Sequence, residues 1–260
     1  MIVKILCNLS LTWNVEFYYS YMVQKEGTKF TFSEPYIKQA IWEIRFTPIL
    51  AFHKKRIDIC EKFVDKLPHW GLDMRKIEMY DQLEKESSDR KFTLTNRGAS
   101  FIFKNVGHYD NFKSPSIYFL ENITRDLDIK KISRFGVRLF FITKYTKEFN
   151  QLKNLISKKI YNEQFLKNLN QEKKISDVGT AIDFNLKAYK YHLVFGPATK
   201  KEIEKSYGKN GSEDVKVALL CDIDCYLENA TPAIIKNMMK DSYENSKTTV
   251  KDIIKYINEE

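Results

Sequence analysis

The sequence predicts an α+β domain built on a large, mostly antiparallel sheet with helices packed on one face. Three observations predict it. Alternating apolar and polar segments lie next to one another with hairpin-like turns between them. The order strand, helix, antiparallel strands occurs twice along the chain, and neither half shows the repeated βαβ alternation of a doubly wound sheet.

The first strand is IKQAIWEIRF, Ile37 to Phe46. Ile37, Ala40, Trp42, Ile44 and Phe46 lie on one face, with Gln39, Ile41, Glu43 and Arg45 on the other, and Pro48 stops the pattern. From about His53 to Pro68, Ile57, Cys60, Phe63, Val64 and Leu67 fall at helical spacing. Strands follow over Arg75 to Leu83, over KFTLT and over ASFIFKN; the turn Asn96-Arg97-Gly98 between the last two is expected to use Gly98 for a positive φ. SIYFLENITRDL is helix-compatible, with Ile117, Leu120, Ile123, Thr124 and Leu127 on one side.

The second half repeats the order. Ser133 to Tyr145 reads as a strand, and Phe149, Leu152, Leu155, Ile156, Ile160, Phe165 and Leu169 form one helical stripe. In Gly179 to Gly196 the apolar phase shifts at Ala188 to Tyr189, which predicts a β-bulge in a long strand or a strand buried on both faces. Asp214 to Asn229 is a further strand, and Thr231 with Pro232 marks the start of a closing helical region. These elements predict a single domain over residues 31–260 with pseudo-repeat halves of about 31–131 and 132–260.

Residues 1–30 are expected to be a poorly ordered extension or an upstream mis-start. The first 21 are apolar, but they carry Glu16, Lys4 as the one basic residue and no small-x-small cleavage site, and Met22 reads as a fresh start. No stretch of 18 residues stays apolar without charges, so no membrane span is expected.

With 43% hydrophobic and 14% aromatic residues, the chain has enough apolar material for a sizeable core, which excludes global disorder. The net charge of +9 raises the prospect of an anionic partner, but the basic doublets are scattered and mostly sit beside acids, as on solvated faces. The abundance of Lys, Ile, Asn, Tyr and Phe also has the stamp of an AT-rich genome. Cys7, Cys60, Cys221 and Cys225 follow no secreted disulfide spacing, and Cys221 and Cys225 on one strand are too far apart to bridge; a reducing cytoplasm is the expected compartment.

EPYIKQAIWEIRFTPIL, SRFGVRLFFI, LLCDIDCYL and the closing helix, taken in order over about residues 30–255, resemble an uncharacterised, sporadically distributed prokaryotic family. Its members open with a strand ending Arg-Phe-x-Pro, and the chain departs from them at Lys38 and Gln39. The resemblance implies a fold of about 250 residues in a prokaryote and supplies no activity.

Asp222 and Asp224 project from one strand face about 7 Å apart, and Arg45 and Arg138 each interrupt an otherwise apolar strand. Mutual neutralisation of these four is the first expectation, and anion or ligand binding the second; all four are weak binding candidates. The histidines show no zinc spacing, and there is no GxSxG, P-loop, GxGxxG or HRD-type loop. Gly208 to Ser212 reads as a turn. Catalytic residues, metal and cofactor are therefore not expected.

The leading expectation is a non-catalytic binding protein recognising an unidentified protein partner through a sheet face or terminal helix. The alternative is nucleic-acid binding by dispersed Lys and Arg with Tyr189, Lys190 and Tyr191 as a stacking strand and Lys144 as a second contact. An enzyme using Asp222, Asp224 and one arginine comes third. A homo-oligomer is compatible with each of these.

Overall fold

The computed structural model describes residues 31–66, 70–73, 78–81, 89–170, 175–208 and 214–259. The readings made above for residues 1–30, 74–77, 82–88 and 209–213, and for the Val64, Leu67 and Leu169 side chains, lie outside these residues. Phe32–Glu260 clusters as one compact unit.

The strands are β1 (Tyr36–Phe46), β2 (Trp70–Asp73), β3 (Glu78–Asp81), β4 (Arg90–Leu94), β5 (Gly98–Gly107), β6 (Ile132–Tyr145), β7 (Thr180–Leu186), β8 (Tyr189–Thr199) and β9 (Val217–Ala230). The helices are α1 (Phe52–Lys66), α2 (Tyr109–Asp126), α3 (Phe149–Ile160), α4 (Glu163–Asn170), α5 (Lys200–Tyr207) and α6 (Ile235–Asn258). One nine-stranded sheet runs β2-β3-β4-β5-β1-β6-β9-β8-β7, and all its pairings are antiparallel. The opening strand of each half, β1 and β6, lies at the centre. The last strand of each half, β5 and β9, lies just outside it, and each is followed by a helix. The duplicated order read in the sequence is thus an approximate two-fold arrangement of the topology.

Strand alternation explains the core. Trp42, Phe92, Phe101, Phe135, Val137, Leu139, Phe141, Cys221, Ile223 and Cys225 point to one face and are buried under α1, α2, α3 and α6. In the first half this core is aromatic: Phe92 stacks on Phe119 at 4.4 Å and meets Phe63 edge-on at 5.4 Å. Each such ring contributes about 1.5–3 kcal/mol by its burial. In the second half the rings carry hydroxyls that α6 satisfies, as where Tyr191 Oη accepts from Asn245 Nδ2 at 3.0 Å.

The imperfect alternation of the first strand has a cause. The register shifts between Ile37 and Gln39, so Lys38 is an extra residue turned inward and fully buried. Its ammonium donates to Asn105 Oδ1 at 2.6 Å, and Asn105 donates in turn to Asp89. A buried charge is tolerable only with such partners.

Several expectations are corrected. Gly98 has no positive φ; it is needed because a Cβ there would sit 2.5 Å from the Ile44 carbonyl oxygen. The phase change at Ala188 is a two-residue hairpin turn, Lys187-Ala188, with Lys187 at φ 57°, and it divides the supposed long strand into β7 and β8. The helical stripe of Phe149 to Leu169 is two helices. Tyr161 ends the first, and Asn162 Oδ1 accepts from the Gln164 amide at 2.8 Å to start the second, which leaves Phe165 exposed. Ile57 is exposed rather than inward. Thr231 stands before a single turn, Pro232–Ile234, without a side-chain capping bond. Helices do not keep wholly to one face: α5 covers a patch on the other, where Ile203 and Tyr207 meet Phe140, Ile142, Ala198 and Ala218.

Candidate functional site

Apart from the α5 patch, the second face of the sheet carries the polar phase of every central strand. On β6 these residues are Arg134, Gly136 and Arg138; on β9 Asp222, Asp224, Tyr226 and Glu228; on β1 Ile41, Glu43 and Arg45. All of these but Asp222 line a polar depression of about 560 Å³, whose charged walls are Glu43, Arg45, Arg134, Arg138, Asp224 and Glu228. A second hollow of about 460 Å³ beside the Gly98 hairpin shares Glu43 and Arg45 with it.

The bases all lean along the strands. Arg138 stands opposite Asp224 in the β6–β9 register but forms a two-pronged bond with Asp222, Nε to Oδ1 at 2.8 Å and Nη2 to Oδ2 at 2.5 Å. Arg134 stands opposite Glu228 but reaches Asp224, with Nη2 to Oδ2 at 2.8 Å. Glu228 is left to Lys190, 2.7 Å away. Arg45 pairs with Glu43 on its own strand.

Gly136 makes the long reach of Arg134 possible. A Cβ at this position would lie 3.3 Å from Arg134 Nη1 and 3.4 Å from Asp224 Oδ1, so the bare backbone is the floor over which the guanidinium passes. The same guanidinium lies 4.6 Å from the Tyr226 ring centroid. The Arg134–Asp224 pair is the most enclosed, with side chains 23% and 24% exposed, whereas Arg45 and Lys190 are about half in water.

Electrostatics follow this gradient. Burial raises the Asp224 carboxyl above its ordinary value, and Arg134 only partly offsets it. The hydrogen bond to Asp222 raises the Arg138 guanidinium, and that to Glu43 raises Arg45. At the exposed rim Lys190 pulls Glu228 below the usual range.

Of the four candidates read in the sequence, Arg138 and Asp222 are joined directly, Asp224 lies beside them, and Arg45 borders the same depression with Glu43 as its partner. Sequence reading missed Arg134, Glu43, Gly136, Tyr226 and Glu228. Arg134-x-Gly-x-Arg138 was the available signal: two bases of one strand parity with a gap between them.

The stacking strand is overturned. Tyr189 and Tyr191 point into the core, 6% and 2% exposed, and Phe184 lies flat on Tyr191 at 4.9 Å, so neither ring is open to a base. Lys190 is exposed but joined to Glu228, and Lys144 approaches Asp214 at 3.9 Å. Cys60, Cys221 and Cys225 are buried free thiols; burial raises all three, Cys225 to about 12, which keeps them unreactive. Among the described residues no group of three or more His, Cys, Asp or Glu is placed to hold a metal ion, and no helix is long and apolar enough to cross a membrane. Comparison with models of known protein families, with curated proteins and with solved structures finds no match.

Proposed function

We propose that this chain is a non-catalytic interaction protein that docks another protein on the open face of its sheet, around Arg134, Arg138, Asp222 and Asp224. The observation that supports this reading is that the basic side chains lining the depression and its rim each lie against a carboxylate, so the face is fixed, polar and close to neutral. A polyanion gains from releasing counterions at uncommitted Lys and Arg, and such a face offers few. A protein surface of mixed charge gains instead from pre-ordered donors and acceptors whose side-chain entropy has already been spent. The three buried free thiols favour a reducing cytoplasm as the place where this happens.

Cross-linking mass spectrometry on the chain in its native extract tests the reading. The expected result is one protein cross-linked next to β1, β6 and β9, and lost when Arg134 and Arg138 are both changed to alanine in a variant that still folds. A DNA or RNA mobility shift that weakens steeply with salt would support the nucleic-acid alternative in its place.

A further inference from the structure

The two edges of the sheet differ. β2 is four residues long, a length that offers little to a passing strand, whereas β7 at the other edge runs for seven residues, Thr180 to Leu186, in regular register with β8. Among the described residues no strand pairs with the outer side of β7. Sheet edges are usually blunted by Lys, Pro, a bulge or a cover. β7 has no Lys or Pro and no break in register, and its one charge, Asp183, is engaged along the strand pair by His192 of β8, Nδ1 to Oδ1 at 2.6 Å.

Exposed apolar surface gathers at this edge. The large apolar side chains exposed among the described residues are Leu50, Ile57, Phe165, Ile182, Leu186, Val194 and Tyr256. Ile182 and Leu186 are on β7, Val194 is opposite Ala181 on β8, and Phe165 is on α4. Phe165 stacks on Tyr161, whose hydroxyl donates to the Gly179 carbonyl at the start of β7.

We infer that β7 pairs antiparallel with β7 of a second copy, joining two nine-stranded sheets edge to edge. Directly opposed residues share a face in an antiparallel pair, so symmetric pairing joins odd positions to odd and even to even. Alignment about Asp183 sets two carboxylates against each other, and alignment about Ile182 leaves Leu186 beyond the partner strand. Alignment about Phe184 sets Phe184 against Phe184 and Ile182 against Leu186 on the apolar side, and Asp183 against the amide of Asn185 on the other. This register covers both exposed aliphatic side chains of β7 and opposes no like charges. The two-fold axis is then perpendicular to the sheet, so both open faces look the same way and the dimer presents two copies of the charged face side by side.

Sedimentation velocity over a concentration series, with disulfide trapping, tests the pairing on the full chain. Asp183→Cys with Asn185→Cys is expected to give an oxidised dimer, because these positions face each other between copies and cannot bridge within one strand. Asp183→Cys alone is expected to form no covalent dimer under the same oxidation, because the two copies of position 183 do not face each other in this register. Ile182→Lys, at a side chain already 43% exposed, is expected to weaken the dimer about tenfold or more while the far-ultraviolet circular dichroism stays unchanged. A chain that stays monomeric at every concentration overturns the inference. So does a dimer trapped by Asp183→Cys alone, or one indifferent to Ile182→Lys.

Discussion

The two faces of the sheet are made by the same strands and obey opposite rules. Phe92 and Thr93 are neighbours on β4, yet Phe92 is fully buried against Phe63 and Phe119 while Thr93 lines the hollow by the Gly98 hairpin. On β6, Val137 and Leu139 are core and Arg138 between them lies against Asp222. The covered face contributes stability through apolar area. The open face holds ion pairs, whose worth falls as water reaches them. Charge is thus kept where it costs little.

That contrast can be broken most severely on the covered face. Phe92→Ala is expected to lower unfolding free energy by about 3–5 kcal/mol, by loss of transfer energy and an aromatic-lined cavity, whereas Thr93→Ala next to it changes it by under about 0.5 kcal/mol. Urea titration of both variants measures the difference. Gly98→Ala places a methyl against the Ile44 carbonyl and is expected to cost about 1–3 kcal/mol, seen as a lower denaturation midpoint.

On the open face the losses are smaller and graded by exposure. Arg134→Ala leaves the enclosed Asp224 carboxylate without its partner and is expected to cost about 1–2 kcal/mol. Arg138→Ala, at a side chain 48% exposed, is expected to cost about 0.2–1 kcal/mol, an effect that shrinks with added salt. Equal losses at the two sites would show that burial does not rank the pairs.

The smallest effect is in the pH profile. The folded state raises Asp224, so this group's proton is held more tightly folded than unfolded. Its contribution favours folding below the ordinary value of 3.8 and is lost as pH rises through the raised folded value. Glu228 has the opposite sign: lowered by Lys190, it favours folding above 4.5 and loses that contribution as pH falls. The two oppose each other in the parent chain. Asp224→Asn removes one of them, so its melting temperature is expected to fall more steeply on acidification than that of the parent.

Much of the fold was legible because burial of one face imposes period two on a strand, and IKQAIWEIRF, SRFGVRLFFI and LLCDIDCYL show it openly. The hairpin at Lys187-Ala188 was misread because a turn residue with positive φ need not be glycine, and the phase shift it makes resembles a bulge. The break at Tyr161-Asn162 was hidden because apolar spacing continues through it. Tyr189 and Tyr191 read from sequence as a stacking platform because an apolar ring with a hydroxyl suits a core and a surface equally; the helix that satisfies their hydroxyls is some fifty residues away in the chain.

The sequence alone determined that this chain makes an antiparallel sheet with a duplicated order of elements, because periodicity and turn chemistry are local. It also placed Arg138, Asp222 and Asp224 on the polar phase of their strands. Only the tertiary structure decided which base meets which acid. Strand order brings β6 beside β9, and the gap at Gly136 lets Arg134 pass the residue opposite it to reach Asp224. Pairing between strands separated by some ninety residues depends on register, which no local pattern encodes.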